Sequence, residues 1–192
     1  MRYKPEHKEE TRRRIVASAA KEFRTHGFES VGIANLMGAL NLTHGGFYAH
    51  FADKEGLVAE SVTLALKENL AVMLPGLKSG GLPALITYYL SEEHRDQPFS
   101  GCPLPALAAE IARRPPASRD AFTEELSEVF DAVALHMLGD TDEQRRASVC
   151  FLFASMAGAV SMARAVSDDG LSKTILESAR EHLLRLFPEE PR

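Results

Sequence analysis

Thr43, His44, Tyr48, His50 and Lys54 bring a hydroxyl, two imidazoles, a phenol and an ammonium into one short stretch, and Ser30 adds another hydroxyl upstream. Such groups hydrogen-bond to phosphate oxygens and to the polar edges of bases. Gly45 and Gly46 stand among them. Each costs a helix about 1 kcal/mol against alanine, and two missing side chains let a backbone lie close to a bulky surface such as a major groove with its phosphate walls. Thr43 and His44, with the glycine backbone of Gly45 and Gly46, are therefore the candidates for base edges. Ser30, Tyr48, His50 and Lys54 are the candidates for phosphates.

The elements that must position these groups are legible around them. Ile33, Leu36, Met37 and Leu40 recur at i, i+3, i+4 and i+7, one apolar face of a helix, with Ser30 placed to cap its start. The stripe stops at Asn41, which tolerates the left-handed backbone of a turn, and the Thr43 hydroxyl can cap a second helix. Phe47 and Phe51, four apart, anchor that helix to a core, while Asp53 caps a third that starts at Lys54. Two short helices around a tight turn make a helix-turn-helix.

These residues resemble the tetracycline-repressor (TetR) type of bacterial transcriptional regulator over about residues 11–57. Tyr48 and Phe51 match its aromatic pair and Lys54 its helix-start lysine; Asn41 stands where glycine is usual and His50 where tyrosine is frequent. The resemblance implies an all-α chain of about nine helices: a DNA-binding domain over 1–53, then an effector-binding and dimerisation domain over 54–192 that opens with a connector helix at 54–74. It also implies duplex DNA, a second copy of the chain and a small-molecule effector as partners, with no catalytic residues, cofactor or metal.

Composition agrees. A chain of 192 residues with 45% hydrophobic content can bury a real core. Charge is uneven: residues 1–56 carry 9 Lys and Arg against 7 Asp and Glu, while the rest is net −7. Arg2, Lys4, Lys8, Arg12, Arg13 and Arg14 supply most of the basic charge, as an arm or helix touching phosphates or as a solvated helix face. The acidic remainder repels DNA and orients the protein. A charged N-terminus without an early apolar run argues against a secretory signal and for the cytoplasm. Two cysteines, Cys102 and Cys150, are too few for a disulfide framework or a metal site. The uncharged run 147–163 falls below the ~20 residues of a membrane span, which favours a buried helix over a membrane one.

Helical spacing continues through the chain. The first helix spans about 8–26, with Ile15, Ala19 and Phe23 on one face and Gly27 at its end. Pro75-Gly76 closes the connector, and Ser79-Gly80-Gly81 forms a loop before a helix over 82–94. An irregular segment over 97–105 precedes helices over about 105–113, 118–138, 142–167 and 171–187. The last two are the candidate dimer interface, because Ala154, Gly158 and Ala159 permit close packing in a helix apolar around much of its circumference. The alternative is a central core helix within one subunit. Phe99, Cys102, Phe122, Met137, Phe151 and Met156 are the candidate lining of an effector pocket, or simply core. His94, His136 and Arg164 are weaker candidates.

Ser100-Gly101-Cys102-Pro103 sets a thiol before a helix start, where free amides stabilise a thiolate. The Gly-Cys pair resembles one branch of the family in which the cysteine senses electrophiles; a small buried hydrophobe is the other reading. His44 and His50 near phosphates favour protonation, so operator affinity is expected to rise as pH falls, a hypothesis that a flat pH profile at fixed salt removes. Two other classes stay open, a helical enzyme or carrier and a helical interaction protein. The chain has no HExxH, GxSxG, P-loop or dinucleotide fingerprint to support catalysis.

Overall fold

A computed structural model describes residues 5–188. They form helices α1 (Pro5–Ser30), α2 (Ile33–Ala39), α3 (His44–Phe47), α4 (Lys54–Tyr89), α5 (Glu92–Asp96), α6 (Leu104–Ile111), α7 (Pro116–Ala134), α8 (Asp142–Ala165) and α9 (Asp169–Leu186), and no strand occurs among the described residues.

The expected face of α1 is buried through Ile15, Ala19 and Phe23, and Phe28 tucks beneath, its ring edge-on to Phe23 at 5.1 Å. Gly27 breaks the helix with φ 76 and ψ 168, a conformation that only glycine adopts readily. The chain then regains helical geometry as far as Ser30. That turn displaces the expected cap: α2 starts from Gly32 without a side-chain cap, and Ser30 is the exposed last residue of α1.

The connector departs further from expectation. Pro75 does not end α4, because Met73 and Leu77 on either side of it are buried and carry the helix through. The break comes at Gly81, at φ 64, so the segment read as a loop is mostly helix and the connector is longer than 54–74. The final turns, Leu82–Tyr89, add Leu85, Ile86 and Tyr89 to the core.

α4 packs on α1 at one end and on α7 along its length, and α8 and α9 lie side by side. By length and composition α4 and α8 could each cross a membrane. In this fold α8 buries one face through Leu152, Phe153, Met156 and Val160. Its opposite face leaves Phe151, Ala154, Gly158 and Met162 exposed at spacings of three and four. A shallow groove between α8 and α9 continues this stripe, lined by Ser155, Ile175, Ala179 and His182. Caps fix the ends: Thr141 and Gln144 form a reciprocal capping box at α8, and Asp168 accepts the Leu171 amide at α9.

Candidate nucleic-acid interface

α2 and α3 meet through the turn anticipated from sequence. Asn41 takes φ 58, and the Leu42 amide bonds back to the Met37 carbonyl at 2.9 Å. The Thr43 hydroxyl accepts the Gly46 amide at 3.2 Å, capping α3. α3 is only four residues long, prolonged by turns to His50, so its own hydrogen bonds are too few to hold it. Aromatic packing holds it instead: Phe47 and Phe51 are buried and stacked 5.3 Å apart, and Arg12 lies 4.1 Å over the Phe51 ring.

The opposite side of α3 faces outward. Thr43, His44, Gly45 and Tyr48 are exposed, and His44 and Tyr48 meet edge to face at 5.7 Å. A Cβ on Gly45 would meet nothing within 4 Å, whereas one on Gly46 would lie 3.3 Å from the capping Thr43 oxygen. Gly46 thus makes room for the cap, and Gly45 leaves the outer surface bare.

The structure places the phosphate candidates unequally. Tyr48 is 57% exposed and unobstructed. Ser30 is exposed just before α2. Lys54 is half-buried and donates to the Phe28 carbonyl at 2.5 Å, so one of its three donors already serves the fold. His50 is half-buried, its Nδ1 is buried without a partner, and its carbonyl accepts from Arg12. Burial, with the charges of Lys8 and Arg12, holds its pKa below the ordinary value. His50 is therefore neutral in the free protein at neutral pH.

The basic residues of α1 also divide. Arg12 is committed to Glu60 and the His50 carbonyl, Arg13 pairs with Glu10, and Lys8 and Arg14 are exposed without an ion pair among the described residues. Arg2 and Lys4 lie outside the described residues. Asp53 caps α4 by accepting the Gly56 amide at 2.9 Å.

The six residues expected to line an effector pocket are not gathered into one cavity. Cys102 and Met156 are packed in the core and Phe122 is half-buried, but Phe99 and Phe151 face outward at 45% and 52% exposure. Met137 lines a cavity of about 410 Å³ where the Gly81 break of α4 meets the ends of α7 and α9, with His136, Leu138 and Phe187 also in its wall. Nor is Cys102 an activated thiol. Burial pushes its pKa up to about 11, outweighing the Tyr89 hydroxyl, the Leu104 amide and the charges of Arg164 and Arg24, which pull it down. Its own amide donates to His94 Nε2 at 2.9 Å, and His94 Nδ1 donates to the Tyr89 carbonyl at 2.7 Å. Both ring nitrogens are satisfied in the neutral tautomer. Arg164 ties α8 to this loop through the carbonyls of His94 and Arg95, both at 2.8 Å. Among the described residues no group of three or more His, Cys, Asp or Glu side chains is disposed to hold a metal.

Residues 15–61 match the family model of bacterial regulatory proteins of the tetR family. Residues 15–61 thus carry a DNA-binding domain of the TetR type. The TetR fold extends over nearly the whole chain. A TetR-family regulator from Cytophaga hutchinsonii superposes with a TM-score of 0.76 at 20% identity, covering 98% of this chain and 100% of that one. One from Chloroflexus aurantiacus gives 0.73 at 25% identity over 94% and 95%. The reduced form of E. coli NemR gives 0.73 at 19% identity over 94% and 100%. No curated protein matches the sequence. This match and this fold support a DNA-binding transcription regulator.

Sequence reasoning missed Glu110, Arg114 and Ser118, which reach from α6 and α7 to the DNA-reading segment. A faint signal existed: Glu110 is the one charge in the otherwise apolar Leu104–Ile111 helix.

Proposed function

We propose that the chain is a homodimeric repressor that two reading heads hold on a partly palindromic operator and that a small molecule releases. Residues 1–53 act as the head and 54–192 as the effector and dimerisation domain, working in the cytoplasm. The observation that carries this reading is the outer face of α3: a capped helix start, a side-chain-free Gly45 and an exposed Tyr48, fixed from behind by stacked Phe47 and Phe51. Thr43, His44 and the glycine backbone read base edges. Tyr48, Ser30 and the remaining donors of Lys54 and His50 hold phosphates.

So short a helix makes too few contacts alone, and a twofold pair supplies the rest. The exposed stripe of Phe151, Ala154, Gly158 and Met162 supports α8 and α9 as the pairing face, because its small residues admit a partner helix closely. The cavity of about 410 Å³ is within the range of small-molecule sites and touches α4 at its break, which supports it as the effector site. To weaken operator binding a thousandfold, the ligand must prefer the released form by about 4 kcal/mol.

Selection of bound duplexes from a random pool tests the proposal. The expected product is a two-part, inverted-repeat site whose affinity falls steeply with salt as counterions are released. A pool that yields no enriched site refutes it.

A further inference from the structure

The helix-turn-helix is gripped at both ends by α6, the turn after it and the start of α7. Upstream, the Phe28 amide donates to Glu110 Oε2 of α6 at 2.8 Å, and Gly27 is bare where a Cβ would collide with Glu110 Oε1. The Phe28 carbonyl accepts from Lys54, so that one residue joins the entry of the reading segment to its exit. Arg114, just beyond α6, lies 4.9 Å over the Phe28 ring and bridges the two ends again, donating to Glu29 at 2.8 Å and to Glu55 at 2.9 Å. Ser118 at the start of α7 completes the grip by donating to Glu55 at 3.0 Å. Arg114 is largely buried, at 13% exposure, which strengthens its ion pairs relative to surface ones. α6 itself buries Leu104, Leu107 and Ile111, and Ser161 of α8 ties it to the effector domain by donating to the Pro105 carbonyl at 2.9 Å.

We infer that Glu110 and Arg114 are positioning residues for the reading head: they fix the angle at which α2 and α3 leave the body, and with it the separation of the two α3 helices in a dimer. This inference rests on the proposed paired binding. α6 is then a strut between α8 and both ends of the head. Neither residue touches DNA, so intrinsic affinity for one half-site is independent of them.

The test measures affinity, at fixed salt, for a single half-site and for paired half-sites at the spacing the wild type prefers and at one base pair more or less. Glu110→Ala and Arg114→Met, which keeps an apolar stem over Phe28, should each lose about tenfold at the preferred spacing. They should change little at the other spacings and not at all on one half-site. Glu110→Gln keeps an acceptor oxygen for the Phe28 amide and should restore most of the preference. The inference is overturned if the variants keep the wild-type preference, or if affinity falls equally on every duplex. Should Glu110→Ala fail to fold, Arg114→Met decides the matter alone, since its partner Glu29 is exposed and Glu55 keeps its bond from Ser118. A wild-type protein that binds no duplex removes the proposed function, and this inference with it. A wild type that binds paired sites beside variants with unaltered preference removes only the inference.

Discussion

Replacing Gly45 by alanine should move stability and function in opposite directions. A Cβ there meets nothing within 4 Å, so the folded protein pays no steric cost. It gains from the lower backbone entropy of alanine, about 0.5–1 kcal/mol. For a chain of this size that raises Tm by about 1–3 °C. The added methyl, however, projects from the exposed face shared with Thr43, His44 and Tyr48. If that backbone lies against a groove wall, each head is pushed outward and operator affinity falls about ten- to a hundredfold, equivalent to about 1.4–2.8 kcal/mol. Thermal melts and anisotropy titrations of a labelled operator at one salt concentration read both effects. Gly46→Ala is the control, since its Cβ would press on the capping Thr43 oxygen at 3.3 Å and should bring no gain in stability. A Gly45→Ala protein that melts higher and binds its operator as well as the wild type would refute the placement of α3 in the groove.

Three further outcomes follow from the same geometry. Met162→Glu puts a charge at the C-terminal end of the exposed α8 stripe, where Met162 is 60% exposed, and should give folded monomers by sedimentation; an unchanged dimer excludes that face. His94 takes up a proton near pH 6.5 when unfolded, but burial lowers its folded pKa to about 4. The unfolded chain therefore binds more protons in that window, and the stability contributed by the neutral ring is complete above pH 6.5 and lost as pH falls toward 4. Between about pH 7.5 and about pH 5, urea unfolding should show the wild type losing roughly 2 kcal/mol more than His94→Gln; parallel losses contradict the assignment. Cys102, with its thiol pushed up to about 11, should resist alkylation in the native protein while exposed Cys150 reacts. Comparable native rates at the two thiols would restore a sensor role.

The parts of the fold legible in sequence were those decided within a few residues. Asn41, Thr43 and Asp53 act through local backbone geometry and caps, and the structure has each of them at the expected turn or helix start. Pro75 misled because burial of Met73 and Leu77 outweighs the hydrogen bond a proline forfeits, and Ser30 misled because Gly27 interrupts α1 without ending it. The effector lining failed for a different reason. When a helix is apolar on two sides, periodicity does not tell the side facing the core from the side facing outward, so Phe151 was grouped with Met156 although they point opposite ways. The grip of Glu110 on Phe28 was out of reach altogether, since it joins residues 82 apart whose proximity only the packed fold creates.

Paired operator binding requires two α3 helices to enter the major groove together. Methylation protection of guanine N7 on a selected operator reads that groove alone. Two protected patches should appear on one face of the duplex, about one helical turn or a whole multiple apart, and both should vanish with Met162→Glu. A single patch, or protection that persists unchanged in a monomeric variant, would contradict it.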